Sequence, residues 1–135
     1  NADFHSIHSY SPPDRLEKLI QQYQADGRPV FVTEWLGRTK GSTVAECLPV
    51  LKKHNVAAIN WGFVVGKSQT HYPWESRKDE KGKWLDVNAR RSAGIVVKPG
   101  EPYPEPELWF HDLFRMDGTP FDQKEIDLFR ELTGK

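Results

Sequence analysis

The sequence predicts an α/β fold built on parallel strands, and three observations carry that expectation. Two runs, Pro29-Val30-Phe31-Val32-Thr33 and Val56 to Val65, are apolar almost throughout instead of alternating, as in strands covered on both faces. Each is preceded by a segment whose apolar residues recur at helical spacing. The connections are short, and the order βα, βα, β is that of parallel crossover units.

In chain order, Asp3 to Ser9 alternates like a strand and ends at Ser11-Pro12-Pro13-Asp14, a helix start in which Ser11 is the expected cap and proline occupies the first turn. Leu16, Leu19, Ile20 and Tyr23 then place one apolar stripe on a helix expected to stop at Gly27. After the second strand, Thr43 and Glu46 have capping-box spacing and open a helix to about His54, with Val44, Cys47, Leu48 and Leu51 inward. Pro49 falls inside that helix, where it removes a hydrogen bond. Val56 to Val65 is the third strand. Residues 66 to 107 carry turn formers, four aromatics, five prolines and the charge run Arg77-Lys78-Asp79-Glu80-Lys81, and read as a long loop or insertion. Asp117-Gly118-Thr119-Pro120 is a turn, and Asp122 to Leu132 is a helix with Ile126, Phe129 and Leu132 on one face and Gly134 as its stop. The units thus span about 3–27, 29–54 and 56–132.

The 135 residues, 37% of them hydrophobic, suffice for one globular core. Formal charge is zero, with 19 basic and 19 acidic residues, so no global field favours nucleic acid or anionic lipid, and a neutral ligand suits the balance better. No apolar run approaches the roughly 20 residues that span a bilayer, and the N-terminus lacks the pattern of a signal peptide. The opening on a strand-like segment without an initiator Met predicts that an upstream portion precedes it. Cys47 is the single cysteine, which excludes an internal disulfide framework and a multi-cysteine metal site and marks it as a core residue.

Parallel strands place their C-terminal ends on one edge, where α/β enzymes hold their chemistry. His8 and Tyr10 close the first strand on one side, Glu34 and Trp35 close the second, and Asn60, Trp61 and Gly62 interrupt the third. A carboxylate directly after the largely apolar strand run Val30 to Thr33 is costly unless solvated or hydrogen-bonded, which marks Glu34 as a catalytic candidate. The plainer alternative is that it caps its loop or pairs with Arg38. His5 and His8 fall on opposite strand faces, which argues against a shared metal ion, and His8 alone reads more readily as a structural histidine. Trp61 is either core or a surface on which the C–H face of a sugar ring packs. Tyr72, Trp74 and Trp84 on the long loop extend the aromatic theme.

The segments HSY, PVFVTEW, INWGFVVGKSQTHYPW and WFHDLFRMDGTPFD together resemble the last three βα units of retaining (β/α)8 glycoside hydrolases, the superfamily of the cellulase-like family 5 and β-galactosidase-like family 2 enzymes. Most of the chain is covered; about 76–101 looks like an insertion. The resemblance implies a partial TIM barrel, since a complete one needs ~250 residues. It implies Glu34 as nucleophile at the end of the seventh strand, and His8 and Tyr10 as the pair ending the sixth, with the Tyr10 hydroxyl orienting the nucleophile. Trp61 matches the floor under the sugar being cleaved, with Trp35 and Trp74 as further substrate-side residues. The general acid/base, usually in an Asn-Glu pair at the fourth strand, has no match in this chain.

Retention requires two carboxyl groups ~5 Å apart, so the chain alone is expected to be inactive and to associate with the upstream part of the same barrel or with itself. No metal or organic cofactor is called for. The expected partner is a β-linked oligo- or polysaccharide, not nucleic acid or membrane, and the resemblance favours a secreted or periplasmic setting. The alternatives are a non-catalytic carbohydrate-binding module using Trp61, Trp74 and Trp84, and a small open-sheet α/β domain with a structural or interaction role.

Overall fold

The computed structural model describes residues 3–66, 70–74, 81 and 105–134. The expectations that fall on Trp84 and nearly all of the 76–101 insertion lie outside them. The described residues form a small α/β unit with a three-stranded parallel sheet in the order β1 (His5–His8), β2 (Val30–Glu34), β3 (Ala57–Ala58). Three α-helices accompany it: α1 (Pro13–Gln24), α2 (Val44–Lys53) and α3 (Gln123–Thr133).

The helical stripes land where the periodicity puts them. Leu16 and Ile20 of α1 and Val44, Cys47, Leu48 and Leu51 of α2 are buried against Ile7, Val30 and Val32 of the sheet. Each fully buried aliphatic contributes about 1.5–3 kcal/mol relative to exposure. The helix starts differ in detail. Ser11 does not cap α1, because Pro12 occupies the cap position and the first turn is closed by its carbonyl, which accepts from the Arg15 and Leu16 amides. Thr43 does cap α2, its hydroxyl accepting from the Glu46 amide at 3.3 Å, while the Glu46 carboxylate accepts from that hydroxyl instead of from the Thr43 backbone. Helix α2 continues through Pro49. Asp122 accepts from the Lys124 amide to open α3, and Gly134, at φ 72°, stops it.

The third strand is much shorter than Val56 to Val65. Only Ala57 and Ala58 pair in register, with Phe31 and Val32. Ile59 and Trp61 still donate to the Val32 and Trp35 carbonyls, but the path then turns at Gly62, where φ is +84° and an added Cβ would sit 2.8 Å from the Asp112 carboxyl. The Asn60 side chain donates to the Gly62 carbonyl and holds the turn. Val64 and Val65 leave β2 and bond instead to Phe114. The uniformly apolar run therefore reflects two successive pairings. It also leaves Ile59, Trp61, Phe63 and Val64 substantially exposed.

Candidate functional site

β1 and β2 run in register from His5↔Val30 to Ile7↔Val32, and an irregularity between Ile7 and His8 then pairs His8 with Glu34. The Ser9 amide donates to the Glu34 carbonyl at 2.9 Å, so the pairing continues one residue beyond the strand. This brings His8, Tyr10 and Glu34 together at the C-terminal edge. The Tyr10 hydroxyl donates to Glu34 Oε2 at 2.7 Å, and His8 Nδ1 lies 3.4 Å from the same oxygen. The Glu34 side chain keeps 26% of its surface open to solvent and the His8 ring 56%. Burial, then the hydrogen bond to Glu34, then that carboxylate's negative charge push the Tyr10 phenol well above the ordinary tyrosine value. Tyr10 is thus held as a neutral donor.

Arg38 does not pair with Glu34. Its guanidinium makes a two-pronged contact with Glu125 at the start of α3, Nε to Oε1 at 2.9 Å and Nη2 to Oε2 at 2.5 Å. It also donates to the Trp109 and Asp112 carbonyls and lies 4.8 Å over the Phe121 ring. With Arg38 3% exposed and Glu125 11%, this is a buried ion pair that ties the loop after β2 to the end of the chain.

The tryptophans separate. Trp35 is fully buried, its ring packed against Phe129 of α3, so it belongs to the core and not to the open edge. Its backbone carbonyl nevertheless receives the Trp61 amide at 3.1 Å. Trp61 is 46% exposed and borders a cavity of about 320 Å³ that Gly62, Phe63, Val64, Thr70 and Asp112 complete. Trp74 is half-buried, edge-on to Tyr10 at 5.2 Å and to Phe110 at 5.1 Å. Tyr72 is buried against His71 and is not an exposed loop aromatic.

Spacing alone missed the segment Trp109 to Asp112, which is almost wholly buried behind the site. Phe110 and His111 both pack on Tyr10, and an added Cβ at Gly37 would come within 3.1–3.2 Å of Tyr10 and Phe110, so the rings close over that glycine. Thr70 donates to Asp112 Oδ2 at 2.6 Å, and burial raises the Asp112 carboxyl above its usual range. The segment has neither helical nor strand period, and in the sequence it is marked only as the start of the stretch WFHDLFRMDGTPFD.

Among the described residues no cluster of three or more His, Cys, Asp or Glu side chains is arranged to hold a metal ion. No helix of the described residues is long and apolar enough to cross a membrane. Comparison of the chain with protein-family models, with curated proteins and with solved structures returned no match.

Proposed function

We propose that the chain carries the nucleophile side of a retaining β-glycosidase site, in the last three βα units of a (β/α)8 barrel. The observation that carries the reading is the Glu34 carboxylate at the end of a parallel strand, partly open to solvent, with Tyr10 donating to one of its oxygens at 2.7 Å. A carboxylate that only closed its own loop would not need a neutral phenol fixed on it from the segment that follows the neighbouring strand. The exposed Trp61 ring, tied through its amide to the residue after Glu34, supports the same reading, because an indole beside a carboxylate suits the apolar C–H face of a pyranose.

In this mechanism one Glu34 oxygen attacks the anomeric carbon, forming a glycosyl ester as the bond to the leaving oxygen breaks. A second carboxyl, ~5 Å away, gives its proton to that oxygen and then takes one from the water that cleaves the ester. Glu34 supplies the first role. The second belongs to a segment outside the described residues, the upstream part of the same barrel in the reading we favour. The Tyr10 proton stays on the phenol and holds one carboxylate oxygen, leaving the other to attack. The substrate class is a β-linked oligo- or polysaccharide. The binding-module alternative is weaker, because Trp74 is half-buried and packs edge-on against Tyr10 and Phe110.

The test is hydrolysis of aryl β-glycosides by the full-length protein, with the anomer first released read by NMR; a β product is expected, and an α product would exclude the double-displacement route. Trp61→Ala should lower kcat/KM roughly tenfold, equivalent to about 1.4 kcal/mol. Thermal stability should hardly change, because the ring is already 46% exposed. Lost stability with unaltered kinetics would instead make Trp61 a packing residue.

A further inference from the structure

Two residues beyond Glu34 the chain adopts a backbone conformation that its side chain does not favour. Leu36 is fully buried with φ at 70°, a left-handed geometry uncommon for any residue but glycine and costly for a branched side chain. Two hydrogen bonds hold it there. The Ser42 hydroxyl accepts from the Leu36 amide at 3.3 Å, and His111 Nδ1 approaches the Leu36 carbonyl at 2.5 Å. A carbonyl oxygen only accepts, so Nδ1 carries the proton.

The same imidazole, 1% exposed, packs against Tyr10 with ring centroids 5.2 Å apart and against Phe110 at 4.1 Å. His111 therefore touches the donor of the Tyr10–Glu34 contact and the backbone two residues past its acceptor. Its ring abuts the donor, and its N–H holds the backbone just past the acceptor. Between Glu34 and Leu36, Trp35 is locked by its buried ring and by its carbonyl bond from Trp61. On the other side, the Glu34 carbonyl is held by the Ser9 amide. Once Leu36 is fixed, the Glu34 backbone has little freedom left.

We propose that His111 is a positioning residue, which sets the Glu34 carboxylate against the Tyr10 hydroxyl by donating from Nδ1 to the Leu36 carbonyl. This rests on the reading of Glu34 and Tyr10 as the functional pair. Buried imidazole rings also serve as plain packing, and that role is separable: Phe retains the ring and loses the N–H, whereas Asn retains a donor near the Nδ1 position and loses the ring.

The experiment reads the Tyr10–Glu34 contact without any assay of turnover. In full-length protein carrying ¹³C at tyrosine Cζ, with the Tyr10 signal assigned by Tyr10→Phe, Tyr10 should remain a phenol at about pH 11, where an ordinary tyrosine of pKa about 10 is ionised. Glu34→Gln should lower its titration; no change there would overturn the contact and the proposal with it. His111→Phe should lower the midpoint by about one unit, a tenfold rise in the ionised fraction at fixed pH. His111→Asn should restore at least half of that loss. A wild-type titration in His111→Phe, or an equal loss in the Asn and Phe variants, would overturn the positioning role. Ser42→Ala loosens the same residue from its amide side without entering the aromatic cluster. It should shift Tyr10 in the same direction, and unaltered Tyr10 in that variant would count against the proposal even if His111→Phe fails to fold. Absence of glycoside hydrolysis with these shifts intact would sink the glycosidase reading alone.

Discussion

Glu34→Gln in the full-length protein should abolish hydrolysis of an aryl β-glycoside, with turnover falling by roughly 10⁴-fold or more, the scale of losing a nucleophile in a covalent mechanism. The amide is nearly isosteric and its oxygen can still accept from Tyr10, so folding stability should change by no more than about 1 kcal/mol, the net value of a typical hydrogen bond. Sugar binding should persist for the same reason. The contrast between lost turnover and preserved fold carries the inference. An ordinary loop-capping carboxylate predicts a small stability change and no effect on rate. Undiminished turnover would rule out the nucleophile assignment.

The second large effect is on stability. Arg38→Met should cost about 3–5 kcal/mol, because it strands the Glu125 carboxylate in a site that is 11% exposed and leaves the Trp109 and Asp112 carbonyls without their donor. For a chain of this size that corresponds to a fall of roughly 10–18 °C in Tm. Glu125→Leu should be similarly damaging, since it leaves the guanidinium, 3% exposed, without its counter-charge. The double variant should recover part of the loss, the carbonyls remaining unpaired, and the cycle should show a coupling well above 1 kcal/mol between the two sites. Urea unfolding of the four proteins measures this. A single-variant loss below about 1 kcal/mol, the value of an exposed pair, would contradict the buried arrangement.

How much of this was legible along the chain depends on the range of each contact. Parallel β-strand order, helix faces and the strand-end carboxylate are local: they follow from apolar runs, from i, i+3, i+4 spacing and from one Glu after Val30 to Thr33. The convergence of His8 and Tyr10 on Glu34 follows from pairing two neighbouring strands. The rest joins residues far apart. Arg38 meets Glu125 across 87 positions and His111 meets Leu36 across 75, and no periodicity reports such meetings. Trp35 shows the same limit in another form. A tryptophan beside a catalytic candidate reads as a substrate contact, but the left-handed turn at Leu36 and the arrival of α3 send its ring into the core. The third strand was overestimated because apolar character persists well past Ala58, where the register with β2 ends, and the left-handed turn at Gly62 then carries the chain to Phe114.

The bonds from Thr70 to Asp112 and from Phe110 to His71 pin two distant points of the chain side by side. The ends of the intervening stretch are therefore held together whatever its length. Closing such a loop costs chain entropy that grows only with the logarithm of the number of residues, about 0.6 kcal/mol for each doubling. The length between residues 75 and 104 can therefore change at small thermodynamic cost, because the contacts described around Glu34 and Tyr10, Trp74 included, are made by residues on either side of that stretch. An insertion there is expected to leave the described pairings intact, which a small change in Tm would show.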